Sequence, residues 1–340
     1  MRQTFNLASD KEIRWGVIGV GNVCEVKSAP AMNLVPNSKL VAVMRRDAQK
    51  AKAYAEKHQV AKWYDDADQL INDSEVNAIY IATPPHVHAA YTKKAAEAGK
   101  PVYVEKPMAR TYQECLEMIA ACEKAAVPLY VAYYRRTLPN FLKIKALVES
   151  GAIGEVRLVN IQMNQTKDTN IIMSNKTNWR VDPTIAGGGY FYDLASHQLD
   201  FLDFVFGPIK SAKGISSNQA GVYEAEDIVT AAFEFENGVM GVGSWCFTTA
   251  KSANKDLTTI VGSRGQISYS TFGQPHVLLE TDEKGLQRFE FELPKHIQYF
   301  LIESIVNELL GKGQCPSTGI TAARTNWAIQ QIVYGSELRL

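Results

Sequence analysis

Three titratable side chains stand close together in a stretch that follows three glycines. The stretch is GGGYFYDLASHQLDFL, residues 187–202, and it contains Asp193, His197 and Asp200. On a helix that turns by about 100° per residue, these positions fall within roughly 60° of one another, and apolar residues occupy most of the remaining surface. Such a helix is predicted to be buried, with its polar stripe facing a ligand, a cavity or a partner. A structural alternative stays open, in which the helix N-terminus favours Asp193 and His197 is hydrogen-bonded internally.

A lysine lies at the end of another apolar run. The run ends in VYVEKPMAR, which puts Glu105, Lys106 and Pro107 at the carboxyl end of a predicted strand. Ligands of doubly wound parallel sheets bind at the carboxyl ends of the strands. An amine beside a cofactor there can exchange a proton with a substrate oxygen. The bond between Lys106 and Pro107 is also one that can adopt the cis form.

The first predicted strand runs directly into GVGNVCEV. Gly19 and Gly21 precede a helix that starts at Asn22 and Val23, and Cys24 takes the third small position of the dinucleotide fingerprint G-x-G-x-x-G/A. Gly19 allows a tight turn, Gly21 lets the backbone approach a pyrophosphate, and the helix offers free N–H groups to the anion. This order of strand, glycines and helix favours a nucleotide site over a merely structural turn.

Two arginines follow the second predicted strand. An NAD site carries an acid about twenty residues after the glycines, where it holds the ribose hydroxyls. This chain has Arg45 and Arg46 there, and only Asp47 next to them could supply a carboxylate. Because guanidinium groups suit a 2′-phosphate, the sequence favours NADP over NAD, with NAD still possible. Simple solvation of both arginines is the alternative.

The elements that must position these residues change character along the chain. Residues 13–133 alternate short apolar runs with helical patterns, which predicts βαβ units and a parallel sheet. From about residue 155, apolar strands are joined by Asn-Gly, Arg-Gly and Lys-Gly turns, which predicts antiparallel hairpins. We therefore expect an α/β Rossmann domain over residues 1–134, followed by an α+β domain over 135–340 with a large, mainly antiparallel open sheet. Helices at 297–310 and 319–334 close the second domain, and both sheet faces are expected to be covered, one of them by a second subunit.

The charge and residue composition of the chain exclude several classes of binding partner. The 36 basic and 36 acidic residues cancel and form no long single-sign run, which argues against nucleic acid and membrane surfaces as partners. No segment resembles a signal peptide or approaches 18 apolar residues, and the five cysteines show no CxxC or zinc-type grouping, so a cytoplasmic protein is expected. His86 and His88 form an H-x-H pair without an evident third ligand, and we predict no metal site.

Several of these motifs, in this order, resemble a known family. GxG, ATPPHVHAAYTKKAAEAGKPVYVEKP, GAIGEV, NWRVDPTIAGGGYFYDLASHQLDFL and PSTGITAARTN are similar to motifs of the glucose-fructose oxidoreductase, inositol dehydrogenase and rhizopine catabolism (Gfo/Idh/MocA) family of NAD(P)-dependent oxidoreductases. The resemblance covers nearly the whole chain. It implies a Rossmann domain followed by an antiparallel-sheet domain, an active site in the cleft between them, and assembly into a homodimer or homotetramer.

The resemblance also implies roles for individual residues. Lys106, Asp193 and His197 correspond to the family's catalytic set, which also binds the substrate. Trp179 and Arg180 match a loop that reaches the nicotinamide or substrate. Cofactor contacts are further implied at Thr83, Pro84, His88, Glu105 and Arg135, although a domain-linking salt bridge is an equal alternative for Arg135. Asp200 is expected to be structural.

The leading function is NADP-linked hydride transfer to or from a sugar, polyol or related carbonyl compound. A non-catalytic nicotinamide sensor or co-regulator is one alternative, but it would not need Lys106, Asp193 and His197 together. An NAD-dependent glycoside hydrolase with a retained cofactor is another. The sequence does not identify the substrate, because the pocket depends on loops such as TKDTNIIMSNKTNWR, residues 166–180.

Overall fold

The computed structural model describes residues 5, 7, 10–166 and 178–335. The chain divides into two units. Unit 1 comprises the described residues of Met1–Tyr134 and Pro294–Ala323, and unit 2 comprises those of Arg135–Leu293 and Arg324–Leu340. The sequence analysis assigns everything after residue 134 to the second domain, whereas residues 294–323 belong to unit 1. Residues 167–177, which make up most of the loop expected to shape the substrate pocket, lie outside the described residues.

Unit 1 is built on a parallel sheet. Among its described residues the sheet has six strands in the order β3-β2-β1-β4-β5-β6. They are β1 Ile13–Ile18, β2 Ser38–Met44, β3 Lys62–Tyr64, β4 Ala78–Ile81, β5 Val102–Val104 and β6 Leu129–Val131. The central strands are almost completely buried apolar runs, as expected for a sheet covered on both faces. The strand order reverses between β1 and β4, and ligands of such sheets bind at the carboxyl ends beside that reversal. The predicted Rossmann fold is confirmed.

Helices connect the strands and close both units. In chain order they are α1 Asn22–Val26, α2 Ala29–Met32, α3 Ala48–His58, α4 Ala67–Ile71, α5 His88–Glu97, α6 Tyr112–Lys124, α7 Pro139–Glu149, α8 Pro183–Ala186, α9 Ser196–Phe206, α10 Tyr299–Leu309 and α11 Gly319–Tyr334. Asp47, Asp66 and Thr111 begin α3, α4 and α6 by accepting a backbone hydrogen bond from the first turn. No helix in the described ranges is long and apolar enough to span a membrane.

Unit 2 contains the second predicted sheet. In the part of the chain that the structure describes, it has eight strands in the order β14-β13-β12-β11-β7-β10-β9-β8. They are β7 Val156–Asn164, β8 Ile209–Ser217, β9 Ile228–Phe235, β10 Met240–Cys246, β11 Lys255–Gly262, β12 Gly265–Tyr269, β13 His276–Thr281 and β14 Gly285–Glu290. The predicted hairpins β9–β10, β11–β12 and β13–β14 all form, and β7 pairs with β10 in parallel. The mainly antiparallel sheet is therefore confirmed.

The two faces of this sheet differ. One face is buried and includes Phe233, Trp245 and Ile260. On the other face, Met240 and Val242 of β10 are 57% and 43% exposed. Because side chains alternate along a strand, Met240 and Val242 lie on the face opposite to Trp245, and β10 therefore has apolar residues on both faces.

A buried ion network fixes α9 within unit 2. The guanidinium of Arg136 donates to both carboxylate oxygens of Asp200 at 2.8 Å and to Asp203 at 3.0 Å. Arg324 of α11 donates to both carboxylate oxygens of Asp203 at 2.7 Å. Burial raises the pKa of Asp200 to about 6 against the opposing effect of Arg136, so its carboxylate is ionised at neutral pH. Asp200 thus has the structural role that the sequence analysis expects.

Candidate functional site

The turn between β1 and α1 contains the two fingerprint glycines. Gly19 has a φ of +96°, and a Cβ there would lie 2.7 Å from the side chain of Thr83, so only glycine fits. At Gly21, a Cβ would meet no described protein atom closer than 4.0 Å. The backbone at Gly21 therefore borders open space that a ligand can approach. The following helix, α1, has only five residues and begins with Asn22 and Val23. It offers the free backbone N–H groups of its first turn to a ligand, but it is too short for a large helix dipole.

Cys24 occupies the third small position of the fingerprint. It is fully buried, and its Sγ lies 3.7 Å from the carbonyl oxygen of Gly19. Burial raises the pKa of the thiol to about 12, so the side chain stays neutral. Cys24 thus fills the position that glycine or alanine takes in the fingerprint, between the helix and the strand.

Arg45 and Arg46 directly follow β2. Arg45 is half-buried, and its Nη1 donates to the carbonyl oxygen of Val20 at 3.2 Å, which places this guanidinium beside the glycine turn. Arg46 is exposed. Asp47 caps α3 by accepting from the backbone N–H of Lys50 at 3.1 Å, and its carboxylate pairs with the Lys50 ammonium at 2.9 Å. The nearest carboxylate to the arginines is therefore engaged in starting a helix.

Thr83, Pro84 and His88 lie just after β4. His88 is fully buried, and its two ring nitrogens lie 2.7 Å from the carbonyl oxygen of Thr83 and 3.1 Å from that of Met108. Burial lowers the pKa of His88, which keeps the imidazole neutral. A neutral imidazole has one N–H, so the ring donates to one of these carbonyl oxygens and packs against the other. The cofactor contact expected of His88 stays a prediction. The described residues contain no group of three His, Cys, Asp or Glu side chains that could hold a metal ion.

Glu105 and Lys106 follow β5, and the bond between Lys106 and Pro107 is cis. Glu105 is buried, and its Oε1 accepts from the Tyr80 hydroxyl and from Nε2 of Gln298, both at 2.6 Å. Gln298 Oε1 in turn accepts from the Tyr103 hydroxyl at 2.7 Å. Lys106 is half-buried, and its backbone N–H donates to Glu105 at 3.2 Å. Glu105 therefore positions the backbone of Lys106, and its expected contact with a cofactor stays a prediction.

The two tyrosine hydroxyls of the network around Glu105 stay protonated. Burial raises the pKa of the Tyr80 and Tyr103 hydroxyls well above their ordinary value, so both donate hydrogen bonds at neutral pH. The backbone N–H of Gln298 also donates to the carbonyl oxygen of Lys27, at the end of α1. Gln298 thus joins the end of α1 to the Glu105 network, although it lies 193 residues away from Glu105 in sequence. Sequence reasoning missed it because no local pattern surrounds it.

Asp193 lies on a π-helical turn, Phe191–Ala195, which passes directly into α9. Two of the preceding glycines are required by close packing, since a Cβ at Gly188 would lie 2.2 Å from the ring of Tyr192 and one at Gly189 would lie 2.6 Å from the carbonyl oxygen of Glu226. The third, Gly187, has a φ of +88°. The expected stripe assumes a regular α-helix, and the π turn changes the angle between Asp193 and the later positions. Asp193 is partly exposed, whereas Asp200 is fully buried in the ion network.

Unit 2 brings Trp179, Arg180 and Asp193 together. Arg180 Nε lies 3.4 Å from a carboxylate oxygen of Asp193, and the Arg180 guanidinium lies 4.5 Å from the Trp179 ring centroid. His197, on the first turn of α9, is 3% exposed, and its ring lies 5.8 Å from that of Phe272 at an interplanar angle of 72°. These contacts join Trp179, Arg180 and Asp193, while His197 lies further along the same helical segment, beside Phe272.

Arg135 is buried within unit 2. Its Nε and Nη2 donate to the carbonyl oxygen of Thr271 at 3.0 and 2.9 Å, and its guanidinium lies 4.5 Å from the centroid of the Phe272 ring. The sequence analysis expects a cofactor contact or a domain-linking salt bridge here. The described contacts anchor the segment that contains Thr271 and Phe272, and both expectations for Arg135 stay predictions.

Two family models match the chain. The model described as an oxidoreductase family with an NAD-binding Rossmann fold matches residues 13–133, and the model of the GFO/IDH/MocA C-terminal domain matches residues 141–268. Together the two matches account for more than half of the chain.

Individual relatives agree with these matches. Oxidoreductase P35 of Formosa agariphila is 41% identical over 315 residues, which cover 92% of this chain and 96% of the relative. The 1,5-anhydro-D-fructose reductase of Ensifer adhaerens is 27% identical over 238 residues, covering 69% and 70%. The solved structure of a levoglucosan dehydrogenase with NADH and levoglucosan aligns with a TM-score of 0.84 at 21% identity, covering 94% of this chain and 96% of that chain. This last likeness shows a shared fold.

Gln298→Leu is expected to destabilise the protein by about 1–3 kcal/mol, because it leaves the Tyr103 hydroxyl without its buried acceptor and removes one of the donors to Glu105. Urea unfolding measures the loss. Tyr103→Phe removes the same hydrogen bond from its other end, so the double variant should lose less than the sum of the single variants. Gln287→Leu, at an exposed position of β14, is the control and should change stability by less than about 0.5 kcal/mol. Additive losses would contradict the network.

Proposed function

Because the chain belongs to the GFO/IDH/MocA family of oxidoreductases, we propose that it transfers hydride between NADP and a sugar, polyol or related carbonyl compound. The chain is an NAD(P)-binding oxidoreductase, and the proposal adds the substrate class, the preferred cofactor and the acid/base residues. The relative named as a reductase of an anhydro sugar supports a sugar-like substrate. The arrangement of the glycine turn and Arg45 in unit 1 is the observation that carries the proposal.

The residues around that turn fit a dinucleotide phosphate. The open space at Gly21 admits a pyrophosphate against the backbone of Gly21, Asn22 and Val23. Arg45 lies against Val20 in the same turn and can meet a 2′-phosphate, with the exposed Arg46 beside it. Asp47 is held by Lys50, which disfavours its use for an unphosphorylated ribose. Thr83 and Pro84 are further proposed cofactor contacts.

The proposed acid/base set consists of Lys106, Asp193 and His197. When bound, the nicotinamide supplies or accepts the hydride. In the oxidation direction, His197 accepts the proton of the substrate hydroxyl, and Lys106 stabilises the developing alkoxide. Asp193 binds a neighbouring hydroxyl, with Arg180 holding its carboxylate. In reduction the same groups return the proton to the carbonyl oxygen.

Two further parts of the proposal concern surroundings and assembly. In the described residues Cys24, Cys115, Cys122, Cys246 and Cys315 are free thiols, which fits the reducing conditions of the cytoplasm. The exposed face of the large sheet, with Met240 and Val242 at its centre, is proposed to associate with a second copy of the chain, because large exposed apolar patches mark interaction sites.

Lys106→Met is expected to lower kcat by about 10²- to 10⁴-fold and to leave NADPH binding within about threefold, because the ammonium acts on the substrate oxygen. Nicotinamide absorbance against aldoses, polyols, anhydro-ketoses and dicarbonyls measures turnover, and fluorescence titration measures NADPH binding. Lys93→Met, at an exposed pair with Glu117, is the matched control. Unchanged turnover would remove Lys106 from the site. Tight NADPH binding by the unaltered protein without any turnover would favour a sensor, or a hydrolase with a captive cofactor.

Arg45→Asp is expected to reduce the preference for NADPH over NADH, measured as the ratio of kcat/KM values, by about 10- to 100-fold, because a charge-assisted hydrogen bond becomes a repulsion. Lys39→Asp makes the same change in net charge at an exposed position of β2 and should leave the ratio unchanged. If the ratio survives Arg45→Asp, the arginine does not meet the 2′-phosphate.

Val242→Lys is expected to shift the protein to a smaller assembly at micromolar concentration, because it places a charge at the centre of the exposed sheet face. Sedimentation velocity measures the shift. Leu34→Lys alters another exposed apolar residue, in unit 1, and should leave the assembly intact. A monomeric unaltered protein would exclude association through this face.

A further inference from the structure

We propose that Phe272 is a specificity-determining residue, whose ring packs against the carbon skeleton of a cyclic substrate beside His197. The inference rests on the proposed function and deepens it by naming ring-shaped polyols and their carbonyl forms as the preferred substrates. No motif in the sequence points to Phe272. Its place in unit 2 comes from contacts with residues that lie far away along the chain.

The ring of Phe272 borders the proposed proton carrier. Its centroid lies 5.8 Å from that of the His197 imidazole, and the two rings meet edge to face at 72°. His197 is buried, whereas Phe272 is only half-buried. A ligand whose hydroxyl reaches His197 therefore meets an accessible aromatic surface next to it.

The segment that contains Phe272 is anchored at several points. It connects β12 to β13, and the backbone N–H of Phe272 donates to the Asp256 carboxylate at 2.6 Å. Ser270 donates to the same carboxylate oxygen at 2.5 Å, and Gly273 N–H donates to Ser270 at 2.7 Å. The backbone on both sides of the ring is therefore held in place.

Arg135 adds a second anchor from a different part of unit 2. It is 5% exposed, donates twice to the carbonyl oxygen of Thr271, and covers the Phe272 ring with its guanidinium. Burying a guanidinium costs free energy unless its hydrogen bonds are satisfied. A connection that only reverses the direction of the chain does not need such a buried arginine. The connection between β13 and β14 of the same sheet differs from this one, because its residues 282–284 are exposed.

Phe272 adds an aromatic surface next to His197, in addition to the Trp179 ring that lies against Arg180. Asp193 and His197 can each serve oxygen atoms of a substrate. Small-molecule sites combine a few polar groups with apolar and aromatic walls. The C–H groups of a cyclic polyol are weakly positive and pack on the negative face of an aromatic ring, an arrangement that an open-chain carbonyl compound fills poorly. Phe272 thus favours cyclic over acyclic substrates.

The test compares two reductions by the full-length protein with NADPH, one of an anhydro-ketose and one of an acyclic dicarbonyl. For Phe272→Leu, the ratio of kcat/KM values, cyclic over acyclic, is expected to fall about tenfold, mainly through a higher KM for the anhydro-ketose. Phe272→Tyr keeps the aromatic face and should restore the ratio to within about twofold. NADPH binding should stay unchanged in both variants.

Phe204→Leu is the matched control. Phe204 is also a half-buried ring of unit 2, and the Arg136 guanidinium lies 5.2 Å from its centroid. It should lower the melting temperature without changing the ratio. Asp256→Asn, which weakens the anchor and keeps the ring, is expected to lower the ratio in the same direction as Phe272→Leu, and it provides a second reading if Phe272→Leu folds poorly.

Two results would overturn the inference while the proposed function stands. One is an unaltered ratio in Phe272→Leu, and the other is an equal loss on both substrates, which marks a purely structural role. If the unaltered protein reduces neither compound nor any other member of the wider panel, the proposed function fails, and this inference fails with it.

Discussion

The contact between Arg136 and two aspartates is the constraint on which the arrangement of unit 2 depends. Its three charges are almost fully buried, so each is tolerable only while the others hold it, and losing one partner of such a group costs about 3–5 kcal/mol. The network fixes the rotation of α9 because Asp200 and Asp203 are one turn apart on it. His197 precedes Asp200 by three residues on the same helix, so its direction follows from the same contact.

Unit 1 solves the equivalent problem with neutral donors. Glu105 is buried directly before Lys106, and Tyr80 and Gln298 satisfy its carboxylate. A half-satisfied buried network would be worse than an apolar one, which explains why side chains from distant segments converge there. In both units, a buried acid next to a proposed reactive residue determines where that residue lies.

The sequence predicts the elements well and the long-range partners poorly. Buried parallel strands and Asn-Gly hairpins leave local patterns, so both sheets and the glycine turn could be predicted. The π turn at Asp193 leaves no local sequence pattern, because the residue types of a π turn do not differ from those of an α-helical turn. Gln298 and Phe272 are separated by 193 and 75 residues from the side chains they meet at Glu105 and His197, and the return of residues 294–323 to unit 1 has no sequence signal.

Asp47 limits the mutational routes by which this chain could change its cofactor. In the proposed NADP site, the carboxylate that follows the two arginines in sequence is the one that begins α3, and loss of such a cap costs about 1 kcal/mol. Recruiting it for an unphosphorylated ribose would uncap the helix, so a viable route adds a new acid and keeps Asp47 in place. Helix initiation and cofactor choice are thereby coupled at one residue, and selection on either one restricts drift in the other.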